Sequence, residues 1–121
     1  MKPLTSSEIT KFLERFDDFK ESEIRSLKII SPTETEMILA VQDKARAYDW
    51  ITITLLLSGL HDAKLIDESK LGYVDMSQGI SILHEEDLFH LGLGSCKTLA
   101  SIKNALLFVI SENIKYNEDA F

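Results

Sequence analysis

"WITITLLLSGL", residues 50–60, decides the fold. Ile51, Ile53, Leu55 and Leu57 fall on one side of a period-two alternation, with Trp50, Thr52, Thr54 and Leu56 on the other. The run carries no charge, and its β-branched side chains suit a pleated surface, so it reads as a strand near the centre of a sheet. It is far shorter than the ~20 apolar residues a membrane-spanning helix requires. Gly59 is expected to stop it.

Upstream, "ETEMILAVQD" (34–43) places Met37, Leu39 and Val41 on one face, and "RSLKIIS" (25–31) alternates Leu27 and Ile29 with Ser26 and Lys28. Pro32, which cannot donate to a ladder, separates them. "DKARAYD" (43–49) is a polar connection or a single helical turn. Nearer the start the period changes. Ile9, Phe12, Leu13 and Phe16 form an apolar stripe, Lys11, Glu14, Arg15 and Asp18 take the other side, and Thr5 with Glu8 has capping-box spacing.

Downstream, "HDAKLIDESKLGYVDMSQG" (61–79) reads as short strands around Leu65 and Tyr73. "ISIL" (80–83) and "LFHLGL" (88–93) flank "HEED" (84–87) as a hairpin, although the turn lacks an Asn-Gly or Asp-Gly pair. Between residues 99 and 112 two readings stay open. Leu99, Ile102, Leu106, Val109 and Ile110 have helical spacing, whereas "ALLFVIS" (105–111) suits a buried strand; a strand over about 105–112 is preferred. The expectation is a single α+β domain over residues 1–121, with an N-terminal amphipathic helix on a mainly antiparallel sheet of about six or seven strands.

The chain of 121 residues is long enough for one core without staples, and 45% hydrophobic residues are enough to fill it. The N-terminal stretch acquires acids and a helical rhythm at once, unlike a secretory signal. The lone Cys96 cannot form an internal disulfide, which suits a reducing cytoplasm. The net charge of −7 argues against nonspecific nucleic-acid binding, and nothing suggests membrane association. The excess acid sits in residues 61–90, as Asp62, Asp67, Glu68, Asp75, Glu85, Glu86 and Asp87 against Lys64 and Lys70. It reads as solvated loops or as an acidic face for a basic partner.

No motif reaches the standard of a catalytic or metal site, so no catalytic residue, metal or cofactor is expected. "HEEDLFH" is not H-E-x-x-H, because Leu88 stands where the second histidine belongs; His84, His90 and Cys96 read as turn and packing residues. "GLGSCKT" departs twice from the phosphate-binding loop, with Leu91 and Cys96 in place of its glycines. "LSGLHD" brings Ser58, His61 and Asp62 close in sequence without a nucleophile elbow. Trp50, Tyr48 and Phe121 are candidate anchors for a partner, with core packing the preferred reading for Trp50.

Three segments, "DFKESEIRSLKII" (18–30), "WITITLLLSGLHDAKL" (50–65) and "IKYNEDAF" (114–121), together resemble small uncharacterised bacterial domains, some grouped with immunity proteins of polymorphic toxin systems. The resemblance implies a cytoplasmic α+β domain without a known active site and carries over no functional residue. The expected function is a non-enzymatic protein-interaction domain. Its acidic surface, at Asp62, Asp67, Glu68, Glu85, Glu86 and Asp87 with Trp50 as an anchor, would meet a basic protein partner. The alternatives are a small-ligand or enzymatic domain with a pocket between helix and sheet, served by His61, His84 or His90, and a homodimer built by edge strands.

Overall fold

The alternation of residues 50–60 is realised at the centre of a seven-stranded antiparallel sheet. The computed structural model describes all residues, Met1–Phe121. In chain order the elements are β1 (Lys2–Pro3), α1 (Ile9–Arg15), β2 (Glu23–Ser31), β3 (Glu34–Asp43), β4 (Asp49–Lys64), β5 (Ile80–Glu85), β6 (Leu88–Leu93), α2 (Leu99–Lys103) and β7 (Phe108–Ala120). The sheet order is β2-β3-β4-β7-β6-β5, and β1 also pairs with β7. The fold is thus α+β, with a short N-terminal helix on an open antiparallel sheet. No helix is long and apolar enough to cross a membrane.

The inner face carries the main core. Met37, Leu39 and Val41 of β3 meet Ile51, Ile53, Leu55 and Leu57 of β4, and all are buried. Phe12 of α1 and Phe16 just after it close over them with Phe19, their ring centroids 5.2–5.8 Å apart. Burying each such aromatic ring contributes roughly 1.5–3 kcal/mol, far more than helix propensity gives a seven-residue helix. Apolar side chains therefore fill most of the space between α1 and the sheet, and a small cleft of about 160 Å³ remains beside Leu4, Phe12, Arg15 and Tyr116.

A second, smaller core lies on the opposite face. α2 packs Ile102 against Phe108, Ile110 and Cys96. Its start is fixed by a capping box in which Thr98 and Ser101 satisfy each other's backbone N–H groups. That device was expected at Thr5 and Glu8, where the Thr5 hydroxyl instead donates to the Glu8 carboxylate and caps no amide. The rest of the outer face is uncovered. Thr52, Thr54 and Leu56 are half-buried there, and Trp50 stands exposed beside Phe121, outside the core expected for it.

Three further sequence expectations need correction. β4 does not end at Gly59. The glycine takes a left-handed φ of +68°, a register shift follows between Leu60 and Asp62, and the strand bends and runs on to Lys64. Leu65 and Tyr73 do not lie in strands: Leu65 follows β4, and Tyr73 ends a 3-10 turn over Glu68–Tyr73. Residues 99–112 hold both readings in succession, a helix to Lys103 and then a strand from Phe108, past the start expected at 105.

Candidate functional site

The bend at Gly59 turns the end of β4 toward the β5–β6 hairpin and α2. A groove of about 470 Å³ opens there, lined by His61 and Asp62 of β4, Glu86 of the hairpin turn, Leu88 and His90 of β6, Ile110 of β7, and Leu99, Ala100 and Lys103 of α2. Its walls are apolar where α2 faces the sheet, and its rim is charged. Glu112 adds a carboxylate beside it, with Oε2 3.1 Å from His61 Nε2.

His90 is the buried polar member, 4% exposed. Its Nε2 lies 3.2 Å from the carbonyl oxygen of Glu85. A carbonyl can only accept, so in the neutral ring Nε2 carries the proton and Nδ1 keeps a lone pair. Nδ1 makes no hydrogen bond within the protein, leaving an acceptor on a residue that lines the groove.

The turn beside it is strained. Glu86 and Asp87 have φ of +58° and +60°, the left-handed pair a two-residue hairpin turn needs, in a sequence with neither glycine nor asparagine. The tight turn holds Glu85, Glu86 and Asp87 outward, all exposed.

Four of the six candidate acids therefore gather: Asp62, Glu85, Glu86 and Asp87 meet at one end of the molecule. Asp67 and Glu68 do not join them. They sit at the opposite edge, where Asp67 accepts from the N–H and hydroxyl of Ser69, and Glu68 Oε1 accepts from Ser26 Oγ and the N–H of Leu27 in β2. Those bonds from Ser69 hold the Asp67 carboxyl below its ordinary pKa. Trp50 is far along β4 from the bend, its ring 6.0 Å from Phe121, over which the Arg25 guanidinium lies.

His61 and His90 share the groove, but His84, His90 and Cys96 do not converge. His84 is exposed and packs edge-on against Phe89, 4.6 Å away, whereas His90 pairs with Leu83 and so points to the other face. Cys96 is buried in the small core, where burial raises its thiol pKa and makes thiolate harder to form. No group of three or more His, Cys, Asp or Glu side chains is placed to hold a metal ion.

A second cluster escaped the sequence reading. Arg15 of α1 donates from Nε and Nη2 to both oxygens of Asp43 (2.9 and 2.7 Å) and from Nη2 to Glu118 of β7. Arg46 approaches Asp43 at 3.4 Å. The Asp43 side chain is fully buried, and the Arg15 hydrogen bonds hold its carboxyl below the ordinary range. Its position could have signalled this, since Asp43 follows Met37, Leu39 and Val41 on the inward side of β3. A buried carboxylate needs a cation. The cluster clamps α1 across β3 and β7, and its Arg15 also lines the small cleft beside Leu4, Phe12 and Tyr116.

No known family model, curated protein or solved structure matches the chain.

Proposed function

We propose that the domain is a non-enzymatic interaction module that receives a basic segment of a protein partner in the groove between α2 and the β5–β6 hairpin. One observation carries the reading: Asp62 and Glu86, from separate strands and turns, flank a cleft whose walls are Leu88, Leu99 and Ile110. A lysine or arginine side chain fits that chemistry. Its aliphatic stem covers the leucines while its cationic head reaches the carboxylates. Glu85, Asp87 and Glu112 extend the negative field around the entrance, and such a field speeds encounter with a basic surface. Lys103 repels a second cation, so the head is steered to the Asp62–Glu86 side.

The resemblance to immunity-protein domains supports the same reading, in which a bacterial cytoplasmic domain offers acid to a basic toxin. The lining of the groove includes no serine, threonine or cysteine to act as nucleophile.

The test is residue-resolved NMR titration with a short arginine-rich peptide at low salt. Amides of residues 61–62, 86–90 and 99–103 should shift together. The Asp62→Asn/Glu86→Gln variant should bind at least ~10-fold more weakly, since each charge-assisted hydrogen bond contributes roughly 1.5–3 kcal/mol. Shifts scattered over the whole acidic surface, or insensitive to salt, would refute the groove as the site.

A small-ligand reading has its own support, the free Nδ1 of buried His90 in a cleft whose volume lies within the range of ligand pockets. Native mass spectrometry of protein from its own host decides between them. A retained small molecule, displaced by His90→Phe, would replace the peptide reading.

A further inference from the structure

The strand path of the sheet ends in two long edges, β2 and β5, and they are unequally defended. β2 has register shifts at Ile24/Ser26 and Ile29/Ser31, carries Glu23, Arg25 and Lys28, and has the outward N–H of Leu27 occupied by the Glu68 carboxylate. Bulges, charges and a covering segment are how natural sheets block unwanted pairing. β5 is less defended. It pairs with β6 without a register shift, carries no Asp, Glu, Lys or Arg from Ile80 to His84, and pairs with no strand on its free side, although the turn Asp17–Phe19 lies against its start.

The register shows which backbone groups are open. In a two-residue hairpin the pair flanking the turn, Glu85 and Leu88, exchanges both hydrogen bonds, and bonded pairs alternate from there. Leu83 with His90 and Ser81 with Gly92 are therefore the other bonded pairs. Ile80, Ile82 and His84 direct their N–H and C=O groups away from β6. The N–H of Leu93, opposite Ile80, agrees: it points to the far side and bonds to Leu107.

We propose that β5 pairs with β5 of a second copy of this chain, antiparallel and centred on Ile82, to make a two-fold homodimer with one continuous sheet. In that register Ile82 faces Ile82, and Ile80 faces His84 in both directions. The three open N–H groups and three open C=O groups of each strand are then all used, as six hydrogen bonds. Any antiparallel pairing of a strand with itself is isologous and closes at two copies.

Charge selects the same arrangement. The start of β5 is flanked by Lys97, next to Cys96, whose N–H bonds Ser81 Oγ, and by Lys20, whose backbone lies against Gly79; Asp18 offsets part of this charge. The other end of β5 is Glu85, followed by Glu86 and Asp87. Antiparallel self-pairing sets each acidic end beside the lysines of the other copy and leaves Glu86 free to face the partner groove. Leu13 and Leu83, half-buried along the edge, gain apolar contact across the axis. A parallel or shifted pairing loses the charge match.

Sedimentation equilibrium over a range of concentrations should show a monomer–dimer equilibrium without any partner. His84→Pro removes an outward N–H, which a strand tolerates at an edge, and should weaken dimerisation at least about 30-fold, from two lost hydrogen bonds, with the circular dichroism spectrum unchanged. Glu85→Lys should weaken it as well, and adding Lys97→Glu should restore it. Both positions are exposed, so this pair decides even if the proline variant unfolds. A chain that stays monomeric at its solubility limit, or a dimer indifferent to both His84→Pro and Glu85→Lys, overturns the proposal. The groove is tested separately, by peptide titration of the wild-type chain read at Asp62, Glu86 and α2.

Discussion

Thr35 holds the one fully buried side-chain oxygen without a hydrogen-bond partner. It stands on the inward side of β3 between Ile29 and Leu57, where a methyl group would be better placed than a hydroxyl. Thr35→Val keeps the shape and removes the unsatisfied oxygen, so it should raise unfolding free energy by about 1–2 kcal/mol in urea titrations, with an unchanged slope. Gly79 presents the opposite case. A Cβ there would sit 1.9 Å from the carbonyl oxygen of Asp18, and its φ is +65°. The close approach comes from Asp17, Asp18 and Phe19, all left-handed, which together turn Phe19 into the core. Gly79→Ala must displace backbone on both sides and should cost about 3 kcal/mol or more in the same experiment. Neither effect was legible in the sequence. A glycine before "ISIL" reads as an ordinary turn, and nothing local announces that residue 18 will press against it. Asp43 was more legible, because period two alone puts a charge on the face of Met37, Leu39 and Val41.

At the scale of elements, that charge fixes the helix. α1 is seven residues long and cannot hold itself helical, so its docking depends on Phe12, Phe16 and the clamp from Arg15 to Asp43 and Glu118. Asp43→Ala leaves Arg15 part-buried without its bidentate partner and should cost about 3 kcal/mol, the lower end for breaking a buried pair because Arg15 keeps Glu118 and some solvent. The sign of the pH effect follows from the lowered carboxyl pKa. The folded state binds the proton less readily than the unfolded chain, so the stabilisation is fully present above the unfolded value of ~4 and is lost as pH falls through the lower folded value. Denaturation midpoints of wild type and Asp43→Ala should therefore converge below pH ~4 and stay apart at pH 7. The β5–β6 turn gives a second element-scale test. Its arms, with Ile80 and Ile82 against Leu91, fix a register that forces Glu86 and Asp87 left-handed. Supplying the residues this geometry prefers, as Glu86→Asn with Asp87→Gly, should stabilise the fold by about 1 kcal/mol in thermal melts. The hairpin itself was readable from its alternation. The continuation of β4 beyond Gly59 was not, because a left-handed glycine within a strand and one that ends a strand look alike in sequence.

For the molecule as a whole, the α+β class and antiparallel sheet followed from alternating runs and a single amphipathic helix, but the order of strands could not. β2, β3 and β4 form a meander by short connections, with Ser31 facing Glu34 and Asp43 facing Asp49. β7 then enters between β4 and β6, and its partners in β4 are remote in sequence, from Lys64 with Phe108 (44 residues apart) to Ile51 with Ala120 (69 apart). No local pattern encodes a pairing across that distance. The candidate groove shares the difficulty, since His61, Glu86, His90 and Lys103 meet only after β7 has joined both halves. The same topology governs folding. Closing a long loop loses entropy before any β7 contact compensates, so refolding should take milliseconds to seconds, with β7 docking as the slow step. Ile114, 1% exposed at the β4–β7 seam, reports on that step, and Ile82, 3% exposed in the late-joining hairpin, does not. Ile114→Val and Ile82→Val should each cost about 1 kcal/mol. In stopped-flow chevrons the first should act mainly by slowing refolding and the second mainly by speeding unfolding. An Ile114→Val variant that refolds at the wild-type rate would mean that the sheet closes from the hairpin side, with β6 recruiting β7 before β4 does.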